Sequence, residues 1–396
     1  MDGKSKLFKY GGEGCIFIPE LPCNSQKKTK KRKKRRGSKT KRKNKKSTKR
    51  KSKLLFDEIP SNEIKISKII RKSDNYHDWC ILWDNTCISK NYNSLKKVSN
   101  VEECFTKADK VLPKEKQKFK LLQGDFVGRT STNYYSTVFT KEVLNDKTKF
   151  INSFIQLFQS MQSLFLGLVE LQKLKICHHD IKADNTIFYE GKLYYIDFGL
   201  SLKFNETKSL IKRMKEEFNT GRIYESYSFE YIYYPKLTED EIKYEEEDIV
   251  FGEHRKDYEF CQYIHEELFG RDLDHIRYKL LKDEFHKVHK PNINVLIRKI
   301  DTYSLGVLPI MILIDSCIRN KLDIHLLIQQ LLNKELKPYL GLFYDMTEPN
   351  YRDRITSKEA YDRYKNLISS HDTNQSNQSN TTTEEQTKRT NRERTN

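Results

Sequence analysis

The stretch HHDIKADNTIFYEGKLYYIDFG, from His178 to Gly199, decides how the rest of the chain is interpreted. Its two short hydrophobic segments, TIFY and LYYI, flank a turn at Glu190 and Gly191 and predict a β-hairpin. Polar residues suited to metal binding and proton transfer stand before the first strand and after the second. The stretch therefore predicts two chemically active ends that a hairpin holds at a fixed separation.

Seven residues of this stretch stand at the offsets of two motifs, H-x-D-x-K-x-x-N and D-F-G: His178, Asp180, Lys182, Asn185, Asp197, Phe198 and Gly199. All seven would match by chance in about one chain in a million or fewer. The pattern resembles the protein kinase superfamily. The lysine two residues after the first aspartate resembles its serine/threonine-specific branch.

The resemblance implies a role for each polar residue of the motifs. Asp180 would accept the proton of the substrate hydroxyl, and Lys182 would be a cation beside the transferred phosphoryl group. Asn185 and Asp197 would supply the oxygen ligands that Mg²⁺ prefers. The implied reaction is transfer of the ATP γ-phosphate to protein serine or threonine hydroxyls, with ATP and Mg²⁺ as cofactors and a protein as substrate.

The N-terminal block GGEGCIFIPELPC predicts a glycine turn followed by a strand. Gly11, Gly12, Gly14 and Ile16 would lie around the nucleotide phosphates, but Lys9 occupies the first glycine position of the kinase loop. An ordinary turn explains these glycines equally well. The whole block resembles the opening of the serine/threonine kinases of large nucleocytoplasmic (giant) DNA viruses, and the low alanine content agrees with an AT-rich viral source.

The same resemblance assigns SKLLF to the third strand and PSNEIKISKII to the following helix. Lys53 would then hold the nucleotide phosphates and Glu63 would pair with it. Three other residues remain open for these two roles: Lys51, Lys68 and Glu58.

Two features of the chain depart from the kinase pattern. His179 stands where an arginine usually contacts a phosphate on the activation loop, which argues against switching by phosphorylation there. The Ala-Pro-Glu motif is absent, and the nearest candidates are Pro235 with Glu239 or Glu241.

Two residues later in the chain resemble structural residues of the superfamily. Asp301 resembles the buried aspartate that anchors the backbone of the catalytic loop. Arg354 resembles the arginine found late in the helical part of kinases.

Positive charge is concentrated in one segment. Nineteen lysines and arginines and no acidic residue lie between Lys27 and Lys53, so the rest of a chain with net charge +19 is formally neutral. Such dense like charge predicts a disordered loop. Its role stays open among a solvated insertion, non-specific nucleic-acid contact through residues 27–53 and a nuclear-import signal.

Eight scattered cysteines without a C-x-x-C pair predict reduced thiols, and neither a disulfide framework nor a zinc site. The first residues lack the apolar core of a signal peptide, which favours an intracellular protein that is not secreted. The viral resemblance adds the host cytoplasm or the virion, and the basic run leaves the nucleus open. The longest apolar run, Leu305 to Ile314, is too short to span a bilayer and predicts a buried helix, so no membrane partner is expected.

Local patterns predict several further elements. WCILW (79–83) and KFKLLQGDF (118–126) are typical of strands. The apolar stripe from Asn152 to Leu174 predicts one long helix capped by Asn152 or Ser153. Residues 200–241 are expected to be irregular.

These observations predict an α+β, two-lobed protein kinase-like fold with a small β-rich N-lobe and a larger, mainly helical C-lobe over residues 1–368. The expected interruptions are a disordered basic insertion (26–52), a helical insertion (about 243–295) and a disordered polar tail (369–396). Two other functions remain open. One is a pseudokinase scaffold with a nucleic-acid-binding basic loop, and the other is a kinase-like enzyme that acts on a small molecule.

Overall fold

The computed structural model describes residues 4–24, 49–56, 62–220, 226–228, 230–233, 263, 265–271 and 292–370. Over these residues the chain is a mixed α+β protein that divides into two compact units. Unit 1 comprises Met1–Lys72, Ile81–Gly128 and Ile196–Leu200, and unit 2 comprises Ser73–Cys80, Arg129–Tyr195 and Ser201–Asn396. Unit 1 carries a small antiparallel sheet, and unit 2 is mainly helical.

The sheet of unit 1 has five strands: β1 (Lys6–Gly11), β2 (Gly14–Ile18), β3 (Arg50–Leu55), β4 (Asn85–Ile88) and β5 (Lys120–Asp125). Their order is β1-β2-β3-β5-β4, and every neighbouring pair is antiparallel. Helix α1 (Asn62–Ile70) follows β3, where the resemblance placed a helix. Two short helices, α2 (Tyr92–Val98) and α3 (Val101–Lys107), contribute Leu95 and Phe105 to a core that also contains Phe17, Leu54 and Leu121.

Two predictions about these strands need correction. The basic insertion was expected to reach residue 52, but Arg50, Lys51 and Ser52 belong to β3 and pair with β5. WCILW is not a strand, because within it only Cys80 forms an isolated bridge, to Tyr195. Trp79 is fully buried in unit 2 instead, so the apolar character of this segment reflects packing and not strand pairing.

The expectation of reduced cysteines is wrong for four residues of unit 1. Disulfides join Cys15 to Cys104 and Cys23 to Cys87, with Cα–Cα distances of 6.0 and 5.9 Å that suit the bond. The partners are 89 and 64 residues apart in the chain, so spacing motifs could not reveal the pairs. The sheet and α3 bring them together.

Unit 2 contains the predicted hairpin and short additional strands. They are β6 (Arg129–Thr130), β7 (Ile176–Cys177), β8 (Thr186–Tyr189), β9 (Lys192–Tyr195) and β10 (Leu202–Lys203). The hairpin prediction is confirmed, since β8 pairs with β9 through a turn at Glu190 and Gly191. Both turn residues have positive φ, 48° and 81°, which explains the glycine at the second position.

The named helices of unit 2 are α4 (Ser131–Tyr135), α5 (Lys141–Asn145), α6 (Lys147–Ser160), α7 (Gln162–Leu174), α8 (Thr207–Asn219), α9 (Glu230–Tyr233), α10 (Ile293–Asn320), α11 (Ile324–Leu331) and α12 (Lys337–Met346). A further helix covers 357–370. The long helix predicted over 152–174 is two helices, α6 and α7, that meet at Met161. The residue that caps the N-terminus of α6 is Asp146, and not Asn152 or Ser153 as predicted. Its side chain accepts a hydrogen bond from the Lys149 amide.

Residues 200–241 are not wholly irregular, because α8 spans thirteen of them. The helix is strongly polar, which hid it in the sequence. Leu210 and Met214, four residues apart, are its fully buried anchors in the core of unit 2.

The buried helix predicted around Leu305 is confirmed in α10. The helix has 28 residues, however, so its length alone does not exclude a membrane span. Among the described residues, two helical stretches are long and apolar enough to cross a membrane: Lys147–Leu174 and Ile293–Asn320. Their apolar windows are 67% and 94% buried, as in the core helices of soluble proteins, so they are weak evidence for a membrane span.

Some predictions fall outside the described residues. These are the basic run over 27–48, most of the helical insertion at 243–295, the polar tail beyond 370, and the candidates Glu58, Pro235, Glu239 and Glu241.

Candidate functional site

The glycine turn of unit 1 joins β1 to β2, and Gly11 pairs with Gly14 across it. A side chain at Gly14 would place its Cβ 1.9 Å from the carbonyl oxygen of Leu54, so only glycine allows β3 to approach this closely. The positions of Gly11 and Gly12 are open, with nothing within 4 Å of a Cβ. Ile16 lies two residues beyond the turn and pairs with Lys53 on β3.

Lys53 forms an ion pair with Glu63 inside unit 1. The Lys53 Nζ lies 2.9 Å from Glu63 Oε2, and the two side chains are 7% and 3% exposed. Glu63 stands in the first turn of α1, and its other oxygen accepts a 2.6 Å hydrogen bond from Trp83 Nε1. Both oxygens of this buried carboxylate are therefore engaged, which fixes its orientation.

Asp197 is the second carboxylate at the same ammonium. Its Oδ1 lies 3.2 Å from Lys53 Nζ and accepts a hydrogen bond from the Gly199 amide. The φ of Asp197 is 59°, in the left-handed region that non-glycine residues rarely occupy. The side chain is 40% exposed, so one side of the carboxylate remains accessible.

Glu13 is a third carboxylate that the sequence did not single out. It belongs to the glycine turn, and its Oε2 lies 3.3 Å from Lys53 Nζ. The same carboxylate lies against Gly199, where an added Cβ would meet it at 2.4 Å. Its position within GGEG was the only available hint, because the contact joins residues forty positions apart.

The electrostatics of this cluster follow from three carboxylates around one ammonium. Burial alone lowers the pKa of Lys53, but the charges of Glu63, Asp197 and Glu13 outweigh it and raise that pKa. Burial also raises the pKa of Glu63, against the lowering effect of Lys53. If all four groups are charged, the cluster has a formal excess of two negative charges.

The three acids of this cluster fit a divalent cation by their donor chemistry. Glu13, Glu63 and Asp197 each offer a carboxylate oxygen, and these oxygens lie within 4.8 Å of one another. Hard cations such as Mg²⁺ take oxygen ligands, and the excess negative charge favours them. Asp197, predicted as a metal ligand, therefore has surroundings that suit the ion.

The other two candidate lysines differ from Lys53 in their contacts. Lys51 and Lys53 line one cavity of unit 1. The Nζ of Lys51, however, lies over the ring of Trp83, 4.9 Å from the centroid. Lys68 is exposed on α1. Of the three candidates, only Lys53 pairs with Glu63 among the described residues.

The predicted residues between Asp180 and Asn185 in unit 2 form one hydrogen-bonded group. Asn185 Nδ2 donates to both the carbonyl oxygen (3.0 Å) and the Oδ2 (2.6 Å) of Asp180. Lys182 Nζ lies 3.1 Å from Asp180 Oδ1. A short 3-10 turn, Ala183–Asn185, brings the asparagine back towards the aspartate. The carboxylate of Asp180, a residue only 7% exposed, is thus held from both oxygens.

Asp301 fixes the backbone just before this group, which confirms the predicted anchor. Its Oδ2 accepts a 2.6 Å hydrogen bond from the His178 amide, and its Oδ1 accepts one of 2.9 Å from the His179 amide. His179 has a φ of 69°, so this anchor holds a backbone conformation that a non-glycine residue rarely adopts. The His179 side chain is buried and contacts the hydroxyl of Tyr231.

A buried ion pair in unit 2 identifies an acid that the sequence search missed. Arg354 Nη2 lies 2.7 Å from Glu230 Oε1, and both side chains are completely buried. The proline of the Ala-Pro-Glu pattern favours Pro235 and its neighbouring acids, whereas Glu230 follows serine and phenylalanine. Arg354 thus has the structural role predicted for it, with an unexpected partner.

The structure brings the predicted residues together in two groups. In unit 1, the carboxylates of Glu63 and Asp197 lie at the ammonium of Lys53, close to the strand that follows the glycine turn. In unit 2, Asp180, Lys182 and Asn185 form the second group. No protein-family model matches the chain, and no curated protein matches it in a sequence search.

Proposed function

We propose that this chain is a serine/threonine protein kinase that transfers the γ-phosphate of ATP to protein hydroxyls, and that its two units are the lobes of a protein kinase-like fold. The observation that carries the proposal is the buried Lys53–Glu63 ion pair with Asp197 at the same ammonium. It supplies a fixed cation for phosphate oxygens and a partly exposed carboxylate for a metal ion. The five-stranded antiparallel sheet of unit 1 supports the fold assignment.

The residues of unit 1 would bind the nucleotide. Lys53 donates hydrogen bonds to phosphate oxygens. Glu63 fixes the position of the Lys53 ammonium before the nucleotide binds, so less conformational freedom is lost on binding. The backbone around Gly11 and Gly12 would leave room for the phosphates, because a Cβ at either position has nothing within 4 Å. When bound, Mg²⁺ would neutralise charge on the phosphate oxygens, and Asp197 would offer it a carboxylate oxygen in unit 1.

The residues of unit 2 would act on the substrate hydroxyl. The hydroxyl oxygen forms a bond to the γ-phosphorus, the bond from that phosphorus to the bridging oxygen breaks, and ADP leaves. Asp180 accepts the hydroxyl proton, and its hydrogen bond from Asn185 orients it for this step. Lys182 neutralises charge on the transferred group.

A transfer assay tests the proposal. The purified full-length chain, supplied with labelled ATP, Mg²⁺ and a generic protein substrate, should label serine or threonine. Asp180→Asn and Asp197→Asn should each abolish labelling, whereas Asp109→Asn, at an exposed position of unit 1, should leave it unchanged. Absence of labelling by the wild-type chain, while a reference kinase is active under the same conditions, would refute the proposal.

A scaffold that binds nucleotide without transferring phosphate is a second candidate. Glu13 supports it, since its carboxylate contacts the lysine that would hold the phosphates. Lys9 at the first glycine position supports it too, because a side chain replaces an open backbone there. Stabilisation by Mg-ATP in a thermal shift experiment, without any transfer, would favour the scaffold over the enzyme.

A further inference from the structure

Two lysines project from the same face of β3 into one cavity of unit 1. Lys51 and Lys53 are two residues apart, so strand alternation places both side chains on one side of the sheet. Lys53 is surrounded by three carboxylates. The side chain of Lys51 has no hydrogen bond or ion pair within the described part of the chain, and its ammonium lies over the rings of Trp83 and Phe126, 4.9 and 6.0 Å from their centroids.

The ammonium of Lys51 lacks acceptors where it lies. Lys51 is half-buried, and this burial lowers its pKa, against the raising effects of Glu63 and Asp197. Aromatic faces attract the positive charge but accept none of its three N–H donors in the way an oxygen or ring nitrogen does. A ligand that brings acceptor atoms to Lys51 would therefore supply hydrogen-bond partners that the described residues do not provide.

The rest of the cavity is mainly apolar, as contact with the ring of a heterocycle requires. Besides the charged groups it is lined by five large apolar or aromatic side chains: Ile16, Ile81, Leu82, Trp83 and Ile196. Lys53 and Asp197, the groups proposed to bind the phosphates and metal, line the same cavity. A purine joined to a triphosphate would place its base near Lys51 and its phosphates near Lys53.

The acceptor pattern of the base then distinguishes the purines. In a 6-oxopurine such as guanine, O6 and N7 are neighbouring acceptors, and lysine commonly donates to this pair. In adenine the 6-amino group puts N–H donors on the same edge, where a cation is unfavourable. A lysine without acceptors therefore favours the oxo form.

We propose that Lys51 is a specificity-determining residue of the nucleotide site, and that it favours GTP and other 6-oxopurine nucleoside triphosphates over ATP as ligands. The inference rests on the proposed nucleotide-binding function and extends it to the choice of base. The triphosphate is common to all the nucleotides compared, so contacts of Lys53 and the metal ligands cancel in the ratio of affinities.

Isothermal titration calorimetry on the full-length chain tests the inference, with the Mg²⁺ complexes of non-hydrolysable ATP, GTP and ITP analogues. ITP carries the 6-oxo group without the 2-amino group of GTP, so it isolates the atom proposed to matter. Wild type should bind the GTP and ITP analogues about 5- to 100-fold more tightly than the ATP analogue, the range for one good base contact. Lys51→Met, which keeps the alkyl chain on Trp83 but removes the donors, should bring the ratio close to one.

Two further variants separate recognition from folding. Lys51→Arg keeps the donors and should retain the preference, whereas Lys68→Met, at an exposed lysine of unit 1, should change nothing. Loss of fold would weaken all three nucleotides equally and leave the ratio unchanged. If wild type prefers the ATP analogue, or if Lys51→Met keeps the wild-type ratio, the inference fails while nucleotide binding stands. If wild type binds none of the three, both the inference and the proposed function fail.

Discussion

The ammonium of Lys53 lies 2.9 Å from the carboxylate of Glu63, and both side chains are almost completely removed from solvent. Because little water reaches the two groups, each charge is stabilised mainly by the other. Trp83 adds a hydrogen bond to Glu63, and Asp197 and Glu13 add negative charge around Lys53. The pair therefore contributes both to the folding of unit 1 and to the position of the cation that the proposed reaction requires.

Removal of one member of this pair should cost stability as well as activity. Lys53→Met leaves the buried Glu63 carboxylate uncompensated, so we expect a loss of about 3–5 kcal/mol in the free energy of unfolding. Urea denaturation measures the loss, and the transfer assay should find no activity. Lys68→Met removes an exposed lysine of α1 and should change neither quantity. A stable Lys53→Met protein with normal transfer would contradict the role assigned to Lys53.

The same pair predicts a dependence of stability on alkaline pH. The pKa of Lys53 in the folded protein is raised above its ordinary value of 10.5. A raised lysine pKa stabilises the folded state fully below 10.5, and this contribution is lost as pH rises above that value. The difference in unfolding free energy between wild type and Lys53→Met should therefore shrink by about 1.4 kcal/mol per pH unit above 10.5. A difference that is constant between pH 9 and 12 would be inconsistent with the raised pKa.

Glu13 should oppose nucleotide binding, because its carboxylate lies at the lysine that would hold the phosphates. Glu13→Gln removes the negative charge and keeps the size of the side chain. Since Glu13 is 40% exposed, we expect a modest gain, about two- to fivefold in affinity for Mg-ATP. Calorimetry measures this gain, with Glu20→Gln, another carboxylate of unit 1, as the matched control. An affinity that falls in Glu13→Gln would instead indicate that Glu13 holds the metal ion.

Asp301 should affect transfer without contacting the substrate. It accepts the backbone amides of His178 and His179, directly before Asp180. Asp301→Ala leaves two buried N–H groups without an acceptor, so we expect about 1–3 kcal/mol of lost stability per group. The turnover number should fall while the KM for ATP changes little, because the misplaced group is Asp180, the proposed base, and not a residue proposed to bind the nucleotide. A change in KM alone would argue against this positioning role.

Much of the candidate site could be predicted because its signals are local. The spacing of Asp180, Lys182 and Asn185 within one loop, and the hairpin that follows, depend on neighbouring residues and simple alternation. Lys53 and Glu63 were selected by resemblance, with Lys51, Lys68 and Glu58 left open. The structure distinguishes the three lysines because it shows which one lies beside Glu63.

The features that sequence reasoning missed depend on contacts between distant segments. The disulfide from Cys15 to Cys104 joins a strand to a helix 89 residues away, and no local pattern reports such a pair. Glu13 and Glu230 are ordinary acids until the fold brings Lys53 and Arg354 to them. The sequence did not predict α8 because most of its residues are polar. Two buried residues are enough to hold this amphipathic helix against the core.

The basic run between β2 and β3 should be a module separable from catalysis. Residues 27–48 carry fifteen lysines and arginines and no acid, so they can neutralise many phosphates of a nucleic acid. No aromatic residue interrupts them, so we expect no base stacking and little sequence preference. Contact with about ten phosphates would give a slope near −9 in a plot of log affinity against log salt for double-stranded DNA.

Replacement of residues 27–48 by a glycine–serine linker of equal length tests this separation, since it removes the charge and keeps the loop length. The cost of closing such a loop is unchanged, so the fold of unit 1 and phosphoryl transfer should be preserved. DNA affinity should fall to background and its salt dependence should disappear. If the replaced chain keeps the same slope, the phosphate contacts lie elsewhere on the protein. If transfer is lost as well, the run takes part in binding the protein substrate.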